Sequence, residues 1–166
     1  MTLYYSFIYP YLHYCITVWG NTCQSYIDPL FKFQKRAVRV ICNKDRYAHT
    51  KNLFKDTKIL IIRQIFVYCT QLVLYKFHND LLPDAFSGFF QYNHSIHSHF
   101  TRQLQLLHVP IAETVQRSRT LRIVGVKMNN HFEKYISHTC ALSTYKQHLK
   151  SHILRNELPA HILGQA

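Results

Sequence analysis

The chain has 166 residues, and its 20 Lys and Arg against 8 Asp and Glu give a formal charge of +12. Hydrophobic residues make up 48% of the sequence and aromatic residues 14%, which excludes a disordered basic tail and predicts one ordinary domain with a core. With only 8 acidic residues and 4 glycines, the sequence argues against a site of clustered carboxylates and against a glycine-rich phosphate loop.

The first 31 residues contain no Lys or Arg and predict a helix as far as Trp19, followed by Gly20-Asn21 as its end. We expect this helix to bend at Pro10, because proline lacks the backbone N–H and clashes with the preceding turn. A second helix is predicted from Asp28 as N-cap and Pro29 as first helical residue to about Cys42.

The second helix is predicted to be amphipathic, with one buried and one cationic side. Its apolar residues at helical spacing predict the buried stripe: Leu30, Phe33, Ala37 and Ile41. Its basic residues at helical spacing predict the opposite face: Lys32, Lys35, Arg36 and Arg39.

The rest of the chain predicts four further helices and two short strands. A short helix over Lys51–Thr57, capped by Thr50, precedes a helix over 59–78 that is apolar nearly all round, as in the centre of a bundle. A loop or single turn follows over Pro83–Phe90, and then an irregular His-rich connection over 91–109. The remaining predicted elements are strands Leu106–Ile111 and Leu121–Val126, a helix Lys127–Ile136, and a final helix capped by Ser143 with Tyr145, Leu149 and Ile153 on its apolar side.

These elements predict a mostly α fold, an irregular helical bundle with a His-rich loop that allows one short β-hairpin. We divide it into a helical region over 1–90, an irregular His-rich connection over 91–120 and a C-terminal hairpin and helix region over 121–166. Two apolar stretches, 3–20 and 59–77, are long enough to be candidates for membrane spans. Polar residues interrupt both, so we expect core helices and no membrane, with a small membrane-associated protein as a minor alternative.

The sequence predicts no metal site, no cofactor and no catalytic residue. Five cysteines without a C-x-x-C pair indicate reduced thiols in an intracellular protein. Structural zinc requires four ligands in recurring pairs, which the histidines and cysteines do not supply. The histidine and cysteine groups considered and set aside are His94, His97 and His99, His138 with Cys140, and His148 with His152. No nucleophile or phosphate-loop motif occurs, and the eight carboxylates are isolated.

The cationic helix favours a polyanion partner. A face of four basic residues is suited to nucleic-acid phosphates, each contact releasing condensed counterions. Tyr26, Phe31 and Tyr47 lie close by in sequence and are candidates for stacking on bases. The alternative is a solvated helix face with Phe31 in the core, and the charge of +12 favours the nucleic acid.

Five segments, in order, resemble the region downstream of the catalytic core in non-LTR, LINE-type and jockey-like, retrotransposon reverse transcriptases. The second of them is similar to the family's L-x-x-L/V-Q-K/R-K/R-A helix, and the last to its L-S-x-F/Y-K-x-x-L-K helix. The segments are Leu3–Cys15 with Val18-Trp19-Gly20, Leu30–Cys42, Tyr75–Pro83, Thr101-Arg102 and Leu142–Lys150. The chain departs from the family at Met128, where the family has tryptophan, and it lacks the Leu-Pro that follows.

The resemblance implies a non-catalytic C-terminal fragment of an RNA-directed DNA polymerase, with residues 1–90 as its thumb. The family's Tyr-x-Asp-Asp motif does not occur in the sequence. By resemblance, the partners are an RNA or DNA backbone, bound without sequence preference, and the palm and fingers core on which the uncharged opening segment would pack. The residues implied in nucleic-acid binding are Lys32, Lys35, Arg36, Arg39 and Arg102. The alternative function is an inert or protein-binding helical remnant.

Overall fold

The computed structural model describes residues 1–96, 102–136 and 138–155. It is 64% helical, and the described residues contain no strand, which confirms the mostly α prediction. The predicted β-hairpin is wrong, since only an isolated bridge joins Tyr92 to Leu107 in these ranges. The helices are α1 Thr2–Phe7, α2 Tyr9–His13, α3 Ile16–Trp19, α4 Gln24–Ile41, α5 Thr50–Thr57, α6 Ile62–His78, α7 Asn93–Ile96, α8 Val115–Ser118, α9 Leu121–Phe132 and α10 Leu142–Arg155, with a 3-10 turn at Asp84–Phe86.

The opening segment consists of three short helices rather than one bent helix. Pro10 lies in the first turn of α2, where its missing N–H costs no helical hydrogen bond. The break between α2 and α3 includes Cys15, whose φ of 49° is in the left-handed region. Gly20 ends α3 as predicted, and a Cβ there would lie 2.6 Å from Phe66 Cδ2, so glycine permits α3 to approach α6 closely.

The second helix, α4, begins a turn earlier than predicted. Cys23 is its N-cap, so Asp28 does not cap it and Pro29 lies inside it. The Asp28 carboxylate instead accepts a hydrogen bond from Gln24 Nε2. Pro29 is the sixth residue of α4, so its missing N–H leaves the Ser25 carbonyl without a helical hydrogen bond.

The predicted buried stripe of α4 is also wrong except at Ile41, a half-buried side chain that packs against the core. The structure buries Ile27, Gln34 and Val38 instead, whereas Leu30 is 38% exposed and Phe33 is 56% exposed. Helical spacing identifies an apolar stripe but does not decide which of two stripes meets the core. That choice is made by α1 and α5, whose Tyr4 and Phe54 pack in one cluster with Val38, with Phe31 beside it.

Helix α6 is the central element, as predicted. It packs against α2, α3, α4, α9 and α10, and nine of its residues are buried. By length and hydropathy alone the stretch Thr50–His78 could cross a membrane, but 56% of its most apolar 18-residue segment is buried inside the protein. The central helix of a protein core can have the same length and hydropathy, so these two properties are weak support for a membrane span.

The C-terminal part replaces the predicted second strand and its following helix with one helix, α9. Its β-branched run over 121–126 favoured a strand locally, but Ile123, Val124 and Met128 are buried in a helix packed on α6. Met128, the departure from the family pattern, is 0% exposed. The apolar side predicted for the last helix is confirmed, because all three of its residues are buried. Ser143 does not cap that helix, which begins at Leu142.

The connecting segments follow the prediction in outline. The turn predicted over Pro83–Phe90 contains the 3-10 helix, and the short fifth helix begins at Thr50 with His49 as its N-cap. Within 91–109, the described part holds the single turn α7 and the bridge to Leu107. Predictions concerning His97, His99 and Thr101 lie outside the described residues.

Candidate nucleic-acid interface

The basic residues of α4 differ in their distance from its buried face. At 3.6 residues per turn, Lys32 and Arg36 lie about 140° and about 180° around the helix from Ile27, whereas Lys35 and Arg39 lie about 80° and about 120° from it. Lys32 and Arg36, spaced i, i+4, are exposed to solvent. Side chains at this spacing are neighbours on a helix surface, about 5–6 Å apart at Cβ. The structure therefore brings these predicted residues together as one cationic face.

The other two cations of this face are partly engaged inside the protein. The Lys35 ammonium lies 4.2 Å from the centre of the Phe31 ring, a cation–π contact. Arg39 Nε donates a hydrogen bond of 2.8 Å to the backbone oxygen of Ala48, which ties the end of α4 to the turn before α5. Both side chains are half-buried. Lys32 and Arg36 are consequently the residues best placed to meet a phosphate.

Arg102 is exposed but belongs to a different part of the fold. Its turn leads to Leu107, which packs in a cluster with Leu74, Phe90 and Val126. The backbone of Leu107 is also held by Asn130 of α9 through two hydrogen bonds. The structure thus separates Arg102 from the packing unit of α4, which is formed with α1, α5 and α6.

Further basic residues, which the helical pattern of α4 does not predict as part of the site, follow α4 directly. Between positions 32 and 58 the chain has nine Lys and Arg and two Asp. Because α5 packs against α4, the exposed cations of the connecting turn and of α5 belong to the same unit. These exposed residues are Lys44, Arg46, Lys51, Lys55 and Lys58. The charge composition of this window indicates them, although a single-helix pattern does not.

Two of the three aromatic residues suggested for base stacking are accessible. Tyr26 is 70% exposed and Tyr47 is 83% exposed. Phe31 is half-buried, packed beside Phe54 with ring centres 6.2 Å apart and covered by Lys35. Phe31 therefore has a structural role, which corrects its assignment as a stacking candidate.

A buried Gln34 fixes the inner side of α4. Its side-chain Nε2 donates to the Tyr4 hydroxyl and to the Leu60 carbonyl, each at 2.8 Å. Its Oε1 accepts from the Ile62 backbone N–H, the first residue of α6, at 3.0 Å. One fully buried side chain thus joins α1, α4 and the start of α6. This anchorage orients the outer faces of α4 relative to the core.

Histidines also form a pair at the end of α6. The His78 and His138 rings stack with centres 4.3 Å apart, beside a cavity of about 550 Å³. Burial, and secondarily the neighbouring His78, lowers the pKa of His138 to about 4. Burial lowers the pKa of His78 as well, despite its 3.2 Å hydrogen bond to Asn129. Both rings are therefore neutral near pH 7.

The neutral His78 ring has partners at both nitrogens. Nδ1 lies 2.8 Å from the Tyr92 hydroxyl, which donates to it when Nε2–H donates to Asn129. Among the described residues, no group of three or more His, Cys, Asp or Glu is placed to hold a metal ion. The pair lies in the packing between α6, α9 and the segment before α10.

Comparison with protein-family models, curated proteins and solved structures found no match to the chain. The resemblance to reverse transcriptases stays a prediction from the sequence.

Proposed function

We propose that this chain binds RNA or DNA backbones without sequence preference, as a non-catalytic thumb and post-thumb part of a retrotransposon reverse transcriptase. The observation that supports this most is the exposed i, i+4 pair Lys32 and Arg36 on a long helix whose inner side is fixed by Gln34. The family assignment rests on the ordered sequence motifs, and the binding proposal stands on the charge and placement of α4.

Phosphate binding follows from the charge distribution. The field of a protein with a formal charge of +12 attracts polyanions, and the cations after position 31 supply all of that positive charge. Contacts of Lys and Arg with phosphates position a duplex and carry little sequence information. Because the helix is anchored, binding orders only the ends of the Lys32 and Arg36 side chains, which limits the entropy cost.

No catalytic step is proposed for this chain. Two-metal polymerase chemistry requires carboxylates that converge on ions about 3.5–4 Å apart. The eight acidic residues are scattered along the sequence, and the Asp28 carboxylate accepts a hydrogen bond from Gln24. In the proposed assignment, the polymerase carboxylates belong to the family's palm, whose motif does not occur in this sequence.

Fluorescence anisotropy with a labelled RNA–DNA hybrid duplex tests the proposal. We expect an affinity that falls steeply between about 50 mM and about 200 mM salt, because counterion release drives binding. Replacing Lys32, Lys35, Arg36 and Arg39 together by alanine should weaken binding uniformly across unrelated duplex sequences, by more than about tenfold at the lower salt.

The matched control removes the same charge elsewhere. Lys127, Lys134, Lys146 and Arg155 are exposed on α9, α10 and the segment between them, and their joint replacement by alanine should leave most of the affinity intact. Circular dichroism establishes that both variants remain helical. An affinity that is flat with salt, or equal losses in the two folded variants, contradicts the proposal.

A further inference from the structure

Helix α4 carries a second row of apolar side chains, of which four are exposed and Ala37 is half-buried. The row, called here the outer seam, consists of Tyr26, Leu30, Phe33, Ala37 and Val40. Tyr26 is 70% exposed, Phe33 56% and Val40 74%. None of these three contributes to the buried face, which is formed by Ile27, Gln34 and Val38. The outer seam is therefore a separate surface rather than the edge of the core.

The spacing of the outer seam is that of a helix-pairing surface. Its residues follow one another at intervals of four, three, four and three, which are the a and d positions of two heptads. Such a row covers about 80° of the helix circumference, narrower than the stripe by which a helix usually packs into a globular core. It extends for about 21 Å along the axis, at 1.5 Å per residue.

The two borders of the outer seam differ in charge. One border is the cationic face, where the exposed Arg36 lies next to Phe33 and Val40, at i−3 and i+4, and the exposed Lys32 lies on the far side of Arg36. The other border adjoins the packed side of α4, where Gln34 and the half-buried Ile41 lie. The one acidic residue of α4, Asp28, is bonded to Gln24. A molecule that covers the seam thus meets positive charge along a single side.

We propose that the outer seam docks an amphipathic helix of a partner protein, with its apolar row on the seam and acidic side chains facing Lys32 and Arg36. The heptad spacing matches the row of knobs that such a helix presents. The cationic border supplies the complementary charge that sets orientation and excludes basic partners. This inference concerns a protein partner and does not depend on nucleic-acid binding.

Three other occupants fit the surface less well. A second copy of the chain would bring another formal charge of +12 to the seam. A lipid surface favours a wide apolar face, whereas this row is narrow and has core packing along one border. Nucleic-acid bases stack on aromatic rings, which Tyr26 and Phe33 supply, but the other three residues of the seam, Leu30, Ala37 and Val40, are aliphatic. An acidic helix uses both the aliphatic row and the charged border.

The test uses two labelled probe peptides of about three heptads each, with Leu at a and d and either Glu or Lys at e and g. Fluorescence anisotropy with the full chain should detect binding of the Glu peptide. Binding of the Lys peptide should be weaker by about tenfold or more, because its charges meet Lys32 and Arg36.

Variants locate the binding surface. Phe33→Glu should weaken binding of the Glu peptide by about tenfold or more, since it places a carboxylate in the centre of the seam. Val18→Glu is the matched control, because Val18 is 82% exposed on α3 and lies outside the seam. Circular dichroism should show that both variants retain the helical content of the parent, as expected for substitutions at exposed positions.

Several outcomes would overturn the inference. They are equal binding of the two peptides, equal losses in Phe33→Glu and Val18→Glu, and no binding of either peptide by the folded parent. Dimerisation of the chain that Phe33→Glu abolishes would assign the seam to a second copy. Sedimentation of the parent, but not of Phe33→Glu, with phosphatidylserine vesicles would assign it to a lipid surface.

Discussion

Helices α4 and α6 have nearly the same length, 18 and 17 residues, but the protein uses them differently. Nine residues of α6 are buried, whereas α4 buries three and leaves large side chains such as Phe33 in solvent. The apolar residues of α6 pack against five other helices. Those of α4 are divided between the core and an outward surface, which is why both binding proposals concern α4.

The distribution of apolar and charged residues explains why α6 is buried and α4 is partly exposed. The α6 sequence is apolar on nearly all sides, so every side needs cover, and its neighbours α3, α9 and α10 provide it. Helix α4 has three faces: one packed, one apolar and exposed, and one cationic. Desolvating the cationic face would carry a large cost without paired acids, so that face stays in water and keeps the adjoining apolar row near the surface.

The contrast predicts unequal costs for removing one phenylalanine from each helix. Phe66 of α6 is 1% exposed and packs in the main core, so Phe66→Ala should lower the free energy of unfolding by about 3–5 kcal/mol through lost burial and a cavity. Phe33→Ala should change the free energy of unfolding by about 0.5 kcal/mol or less, because more than half of the Phe33 side chain is already exposed to solvent. Urea unfolding of both variants measures the difference. Similar losses would show that Phe33 belongs to the core.

Within α4, the inner and outer faces should also differ. Gln34→Ala removes three hydrogen bonds and leaves the Ile62 N–H and the Leu60 carbonyl without their buried partner, so we expect a loss of about 2–3 kcal/mol. Arg36→Ala, on the exposed side of the same helix, should cost about 0.5 kcal/mol or less. Thermal unfolding followed by circular dichroism compares the two. A loss for Arg36→Ala equal to that for Gln34→Ala would contradict the assignment of faces.

The histidine pair predicts a smaller effect, on the pH dependence of stability. The pKa of His138 is about 4 in the folded protein and 6.5 ordinarily, and that of His78 is lowered too. The unfolded chain therefore binds more protons between these values, so stability should be complete above about pH 6.5 and decrease as pH falls towards 4. Tyr92, Asn129 and Glu133 face His78, and the favourable charge of Glu133 is weaker than the effect of burial.

Urea unfolding at about pH 7 and about pH 5 measures this dependence. His138→Phe retains an aromatic ring beside His78 but cannot bind a proton, so it should lose less stability between the two pH values than the parent. His148→Phe is the control, because it makes the same exchange at an exposed position of α10 outside the pair. Equal pH dependence in the parent and His138→Phe would contradict the role given to the pair.

The sequence predicted best the elements whose local pattern and packing agree. In α10, a single apolar row at Tyr145, Leu149 and Ile153 allowed one interpretation, and the three residues are buried. In α6, the continuous apolar character pointed to the centre of the bundle. The basic face of α4 was likewise evident from helical spacing alone, although the engagement of Lys35 by Phe31 depends on the packing of α5.

The errors arose where two structures satisfy the same local pattern. Both stripes of α4 repeat at helical spacing, and only the contacts of Tyr4 and Phe54 select the one at Val38. The β-branched run at 121–126 suits a strand, but contact with α6 makes it helical. The additional cations of the α4–α5 unit were missed because their grouping depends on how two helices pack.

The most direct test of backbone binding by α4 is the salt dependence of duplex affinity in two double variants. In Lys32→Ala with Arg36→Ala, both exposed cations are removed, and the slope of log affinity against log salt should shrink by about 2. In Lys35→Ala with Arg39→Ala, the cations engaged with Phe31 and Ala48 are removed, and the slope should shrink by less than about 1. An unchanged slope in the first variant, or a larger change in the second, would contradict the account.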